Sequence, residues 1–249
     1  MSALLLALAA GAVTGLALGA LGGGGSVLAV PALIYLLGFT PAAATTASLV
    51  VVTVTSATAL VAHARDGHVR WRTGLAFAAA GIGPAMLGGA VAGRLPDAVL
   101  TAAFALVAAV AAARMLRPRP AREEDRPIRH GRAAAAGAGL GAGTGVLGVG
   151  GGFLAVPVLV GVVSLRMREA VGTSLLVITV NSLAALALRA GTVDGLDWAV
   201  IAPFAGAAVL AAWDGRRLAA KVSGPVLQRI FAVALLAVGA FMLVDAVAW

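Results

Sequence analysis

The sequence predicts an all-α, polytopic transmembrane protein built from two homologous repeats, and three observations lead there. Hydrophobic residues make up 61% of the chain and charged residues only 11%, less than half the roughly 25% typical of a soluble domain. The apolar stretches reach about 20 residues, the length that carries a helix across a bilayer, and lack the short alternation of a membrane barrel. Finally, GALGGGGSVLAVP at Gly19–Pro31 returns as GVLGVGGGFLAVP at Gly145–Pro157. The same offset of 126 pairs Gly15 with Gly141, Leu49 with Leu175, Thr53 with Thr179 and Ser56 with Ser182. The expected organisation is a first transmembrane repeat over 1–116, a basic cytoplasmic linker over 117–132 and a second repeat over 133–249.

Residues 3–38 are apolar but too long for one straight span, since at 1.5 Å per residue they would reach about 54 Å against a hydrocarbon core of about 30 Å. The run Gly22-Gly23-Gly24-Gly25 divides them. Glycine holds a helix poorly, and each unpaired backbone group in a bilayer costs several kcal/mol. A helix over 3–20 and a short one over about 26–38 are expected, the second disturbed by Pro31, which lacks a backbone donor. The N-terminal segment has no positive region, and the repeat begins inside it at Gly11 and Gly15, so it reads as the first helix rather than a cleaved signal.

A span follows from Pro41 to about Ala64, with hydroxyls at Thr45, Thr46, Ser48, Thr53, Thr55, Ser56 and Thr58. The basic loop Arg65–Arg72 then ends beside the interfacial Trp71. Spans over 73–92 and 97–115 complete the first half. Seven arginines crowd between Arg114 and Arg132, and the second half repeats the scheme as a broken pair over 133–164 and spans over 169–190, 197–214 and 224–248. Each repeat therefore holds a glycine-broken helix pair and three further spans.

The loop charges change sides between the halves. The basic Arg65–Arg72 loop corresponds to the acidic Asp194-Gly195-Leu196-Asp197, whereas the uncharged Gly38–Pro41 corresponds to Arg166-Met167-Arg168. An odd net number of crossings per repeat would insert the second copy upside down. Cytoplasmic placement of 65–72 and 114–132 then puts 166–168 and the Arg216, Arg217 and Lys221 cluster on the same side, as the positive-inside rule prefers. That rule also explains the net charge of +8, so nucleic acid is not an expected partner. Cysteine is absent, which leaves neither disulfides nor a thiolate metal site.

Inverted repeats with glycine-broken helices point to a secondary transporter whose site lies near the membrane midplane. A helix starting inside the membrane presents free N–H groups and a positive dipole end, which favour an anion. The candidate cradle is Gly23, Gly24, Gly25 and Ser26 in the first half and Gly150, Gly151 and Gly152 in the second, with Pro31 and Pro157 as structural residues. Lining candidates on the following helices are Thr46, Ser48 and Thr55, and Thr173, Ser174 and Asn181. Asn181 is the chain's one asparagine and serves either as glue between helices or as a ligand-facing donor. The hydroxyls have an equally plain alternative, bonding back to their own helices. Gly11, Gly15 and Gly19, spaced by four, read as a close-packing face. His63 and Arg189, at matching repeat positions near helix ends, are expected to reach toward lipid headgroups. No carboxylate falls mid-span, and neither a nucleotide-binding P-loop nor a zinc-protease pattern is present. Enzymatic activity, a cofactor and a metal are not expected.

The doubled motif resembles that of the TauE/SafE family of sulfite and organosulfur exporters. The likeness rests on Leu28-Ala29-Val30-Pro31 with Thr46-Ala47-Ser48-Leu49, and on Leu154-Ala155-Val156-Pro157 with Gly172-Thr173-Ser174-Leu175. It covers nearly the whole chain, but the first copy carries Ala47 where the second has Thr173. The resemblance implies a multi-pass permease of the bacterial inner membrane, drawn with about eight helices, that exports a small anion such as sulfite or a sulfonate. Alternating access would move one repeat against the other. The alternatives are a non-transporting membrane scaffold or assembly protein and an anion channel. The expected partners are the lipid bilayer and the anion, with homo-oligomerisation left open.

Overall fold

The computed structural model describes residues 2–92, 97–116, 130–147, 152–188 and 197–248. All regular elements among them are helical: α1 (Ser2–Leu21), α2 (Ser26–Pro31), α3 (Pro41–Arg65), α4 (Trp71–Ala92), α5 (Asp97–Leu116), α6 (His130–Leu147), α7 (Gly152–Gly161), α8 (Met167–Leu188), α9 (Trp198–Ala220) and α10 (Gly224–Ala248). Eight of these run 18–25 residues. The remaining two, α2 and α7, are too short to cross a bilayer. Five described helices are long and apolar enough to span a membrane, and large apolar side chains such as Leu5, Leu87, Leu106 and Leu210 face outward. The protein is a multi-pass membrane protein.

The glycine run forms a single 3₁₀ turn, Gly22–Gly25, between α1 and α2. Pro31 then ends α2, and the chain widens into a π turn over Ala32–Leu36, the disturbance expected where the proline withholds its hydrogen bond. Pro157 instead lies within α7 without ending it. Both short elements close alike. Gly38 and Ser164, one repeat offset apart, have φ of +71° and +62°, and the next residues donate equivalent bonds, Phe39 N–H to Leu33 O and Leu165 N–H to Leu159 O, both at 3.0 Å. Thr40 caps α3, its hydroxyl accepting from Ala43 N–H at 3.4 Å, with Pro41 in the first turn.

The tightest packing joins helices of different halves. Along α1, the Cβ of an alanine at Gly11, Gly15 or Gly19 would come within 2.0–2.3 Å of the Phe204, Ala208 or Ala212 carbonyl oxygen on α9. Along α6, Gly137 and Gly141 meet the Phe77 and Gly81 carbonyls of α4 in the same way, at 2.2 and 2.1 Å. The glycine ladder at 11, 15 and 19 is therefore a packing face. Between these two pairs α3 crosses α8, and α5 packs on α10.

Gly15→Val and Gly141→Val are each expected to abolish a folded, monodisperse protein in detergent size-exclusion chromatography. Gly139→Ala, with nothing within 4 Å of the new Cβ, should instead raise the melting temperature through alanine's helix preference of about 1 kcal/mol. Parent-like melting of Gly15→Val would show that the α1–α9 contact does not hold the fold together.

Candidate functional site

The crossing of α3 and α8 brings the repeats together through polar side chains. Near the middle of both helices the hydroxyls of Ser56 and Thr179 lie 3.0 Å apart and share a hydrogen bond. Each helix satisfies most of its hydroxyls on its own carbonyls, at equivalent positions in the two halves. Ser48 donates to Thr45 O and Ser174 to Val171 O, both at 2.8 Å. Thr53 donates to Leu49 O at 2.6 Å and Thr179 to Leu175 O at 2.8 Å.

Two groups break this pattern. The Thr55 hydroxyl and the Asn181 side-chain oxygen are buried without a hydrogen-bond partner, and they occupy equivalent positions of the two repeats. Both lie within one helical turn of the Ser56–Thr179 bridge. A buried unsatisfied polar group costs about 1–3 kcal/mol, so each of the two marks a place that a polar ligand or water would fill.

The glycine turn of the first half comes to the same helix. Gly22 has a φ of +66°, and a Cβ there would lie 2.5 Å from Ser174 Oγ and 3.1 Å from the Val171 carbonyl. Glycine is therefore required at that position twice over, by backbone conformation and by space. Gly23, Gly24 and Gly25 complete the turn, and Ser26 opens α2. Gly152 opens α7 and is buried. Gly150 and Gly151 lie outside the described residues.

The second-half motif docks a loop of the first half. A Cβ at Gly172 would come within 2.6 Å of the His68 carbonyl, and the buried Thr173 hydroxyl accepts from Arg70 N–H at 3.1 Å. Arg70 also bonds Glu169 at 2.6 Å, and that carboxylate raises the guanidinium pKa through its hydrogen bond and its charge. Thr46 is buried on α3. Ala47, where the second copy has Thr173, is also buried and has no hydroxyl to offer a loop.

His63 departs from the expected headgroup-facing placement. It is 6% exposed, and its Nε2 lies 3.3 Å from the Gly19 carbonyl. The close approach of the glycine face of α1 leaves the imidazole no lipid to reach, and it turns inward. Arg189, its repeat counterpart, lies outside the described residues. A larger cavity of about 700 Å³ opens among α5, α6, α7 and α10, with Arg114 and Gln228 among otherwise apolar walls. None of the hydroxyl candidates lines it, and it is a poor place for an anion.

The sulfite exporter TauE/SafE family model matches residues 7–242. The chain belongs to the TauE/SafE family. Two relatives in Xylella fastidiosa, from strains 9a5c and Temecula1, are each named "Probable membrane transporter protein". They are 33% and 32% identical over 98% of this chain and 96% of their own length. No solved structure matches the chain. Family and relatives together place this TauE/SafE protein among membrane transporters.

Thr55→Val and Asn181→Leu preserve shape while removing the two unpartnered groups. Both are expected to keep or raise the melting temperature, because no hydrogen bond within the protein is lost. Transport should fall about tenfold or more if these groups contact the passing ion. A drop in melting temperature with unchanged flux would identify them as structural glue.

Proposed function

We propose that the protein is a secondary transporter exporting a small anion, sulfite or an organosulfonate, across the bacterial inner membrane. The observation that carries this reading is the pair of unpartnered polar groups, Thr55 and Asn181, at equivalent positions on the crossed helices α3 and α8. An oxyanion could accept from the Thr55 hydroxyl, while the Asn181 side-chain oxygen, itself an acceptor, would be met through a bridging water. The glycine turns would add backbone N–H donors without a side chain in the way.

Inverted topology is supported by which helix ends meet. The C-terminal end of α3 and the N-terminal end of α8, its repeat counterpart, come together through Arg70, Thr173 and Glu169. The start of α4 and the end of α9, also counterparts, lie at the same end, where Asp66 pairs with Arg216. Counterparts therefore run in opposite directions. This end carries Arg65, Arg70, Arg72, Arg166, Arg168, Arg216 and Arg217, and the positive-inside rule makes it cytoplasmic.

Rigid motion of one repeat against the other fits the packing badly, because the carbonyl-to-glycine contacts tie α1 to α9 and α6 to α4 across the halves. The moving bodies in alternating access are then these two exchanged pairs, with α3 and α8 between them.

Purified protein in liposomes should take up radiolabelled sulfite with saturation, competed by sulfonates and not by chloride, and respond to an imposed ion gradient. Gly24→Leu should abolish uptake while leaving membrane insertion intact, and Gly151→Leu should do the same. Unsaturable flux would make the protein a channel. Absence of flux for sulfite and sulfonates in a folded preparation would overturn the transporter reading.

A further inference from the structure

At the end of the molecule where α1, α3, α8 and α9 converge, a small cavity of about 30 Å³ is bordered by His63, Asp66, His68, Arg168 and Arg216 among as many alanine, valine and leucine residues, which form most of its surface. Its polar walls come from both repeats. Arg216 pairs with Asp66, and its guanidinium lies over the Trp213 ring at 5.0 Å. Arg168 is spent on neutral acceptors, the Ala220 and Val222 carbonyls at 3.1 and 3.3 Å. Two guanidinium charges thus face one carboxylate, and one positive charge has no acidic partner in the wall.

The cluster is also incompletely bonded. His63 is more than nine-tenths buried, and its Nδ1 has no partner, while its other nitrogen is committed to Gly19. The Nε of Arg216 is likewise buried and unpartnered. Burial of a charged donor without an acceptor is costly. Here one unmet N–H donor, the Arg216 Nε, and one uncompensated charge border the same space, while His63, whose Nε2 donates to Gly19, presents Nδ1 as an acceptor that a water can meet.

We infer that this cluster is a second anion-binding station at the cytoplasmic end of the path, where an oxyanion takes the Arg216 guanidinium from Asp66. Its ligand is the anion of the transport reading, on which this assignment rests. The cavity as it stands holds a water or two, so an ion with several oxygens enters only as Asp66 withdraws. Asp66 is the partner free to do so: its side chain is 38% exposed on a loop, against 19% for Arg216 stacked on Trp213. Partly exposed pairs of this kind contribute only about 0–1 kcal/mol. An arriving anion can displace the carboxylate, and in doing so it releases a tie between loop 66–70 of the first repeat and α9 of the second.

Trp213 supplies the readout, independent of flux. In the full chain carrying Trp71→Phe, Trp198→Phe and Trp249→Phe, sodium sulfite titrated at constant ionic strength should change Trp213 emission saturably. Arg216→Gln should weaken the apparent affinity about tenfold or more. Asp66→Asn, an exposed loop change that leaves the core intact, should tighten it by removing the competing carboxylate. A silent Trp213 in a preparation that transports sulfite, or parent-like affinity in Asp66→Asn, would overturn the station while the transporter reading stood. Equal saturation by chloride would overturn its selection of an oxyanion. Saturable Trp213 response without flux would uphold the station and sink the transporter reading instead.

Discussion

The structure depends on carbonyl oxygens being seated where side chains would otherwise be. Inside a bilayer the lipid tails are as apolar as leucine, so helices associate by close van der Waals contact and hydrogen bonds rather than by escaping water. Gly15 against Ala208 and Gly141 against Gly81 are such contacts, with a missing Cβ standing 2.0–2.1 Å from a carbonyl oxygen. Each contact joins a helix of one half to a helix of the other. Neither half can bury its glycine face alone, and the chain folds as one interlocked body.

That interlock sets the geometry of α3 and α8. Their hydroxyls bond back to the preceding turn at Ser48 and Ser174, and at Thr53 and Thr179, which keeps both helices satisfied in an apolar surrounding without partners elsewhere. Against that background Thr55 and Asn181 stand out. With native stability only about 5–15 kcal/mol, two unmet groups at about 1–3 kcal/mol each are a substantial fraction of it. Their equivalence across the repeat argues for one kind of cause, and a polar ligand or water meeting each of them is such a cause.

The helices, their order and the breaks could be read from the sequence, because each depends on local chemistry: span length, the Gly22–Gly25 run, Pro31 and a doubled motif. The glycine ladder was legible for the same reason, since spacing by four defines a face. The partners of that face were not legible. These helices are apolar on nearly every side, so hydrophobic periodicity cannot say which side points inward. His63 shows the consequence: its position near a helix end suggested the headgroups, while the approach of α1 turned it toward Gly19. The Gly172-Thr173-Ser174 motif was recognisable as important, yet its docking of loop 66–70 through His68 and Arg70 needed three dimensions. Asp66 and Arg216 lie 150 positions apart, and only the fold brings them together.

The two kinds of contact between the halves differ in a way that bears on movement. A carbonyl packed on a glycine is close-range and shape-dependent; sliding by even one residue places a Cβ or a side chain where the oxygen sits, so the α1–α9 and α4–α6 pairs move as units or not at all. The ion pairs Arg70–Glu169 and Asp66–Arg216 are partly exposed, contribute about 0–1 kcal/mol each, and tolerate separation because water replaces either partner. A device with two accessible states a few kcal/mol apart needs permanent joints and releasable ones. The first are buried along the helix pairs, and the second are gathered at one end, where loop 66–70 meets α8 and α9. Opening at that end would break charge pairs that solvent can restore, leaving the α1–α9 and α4–α6 glycine contacts in place.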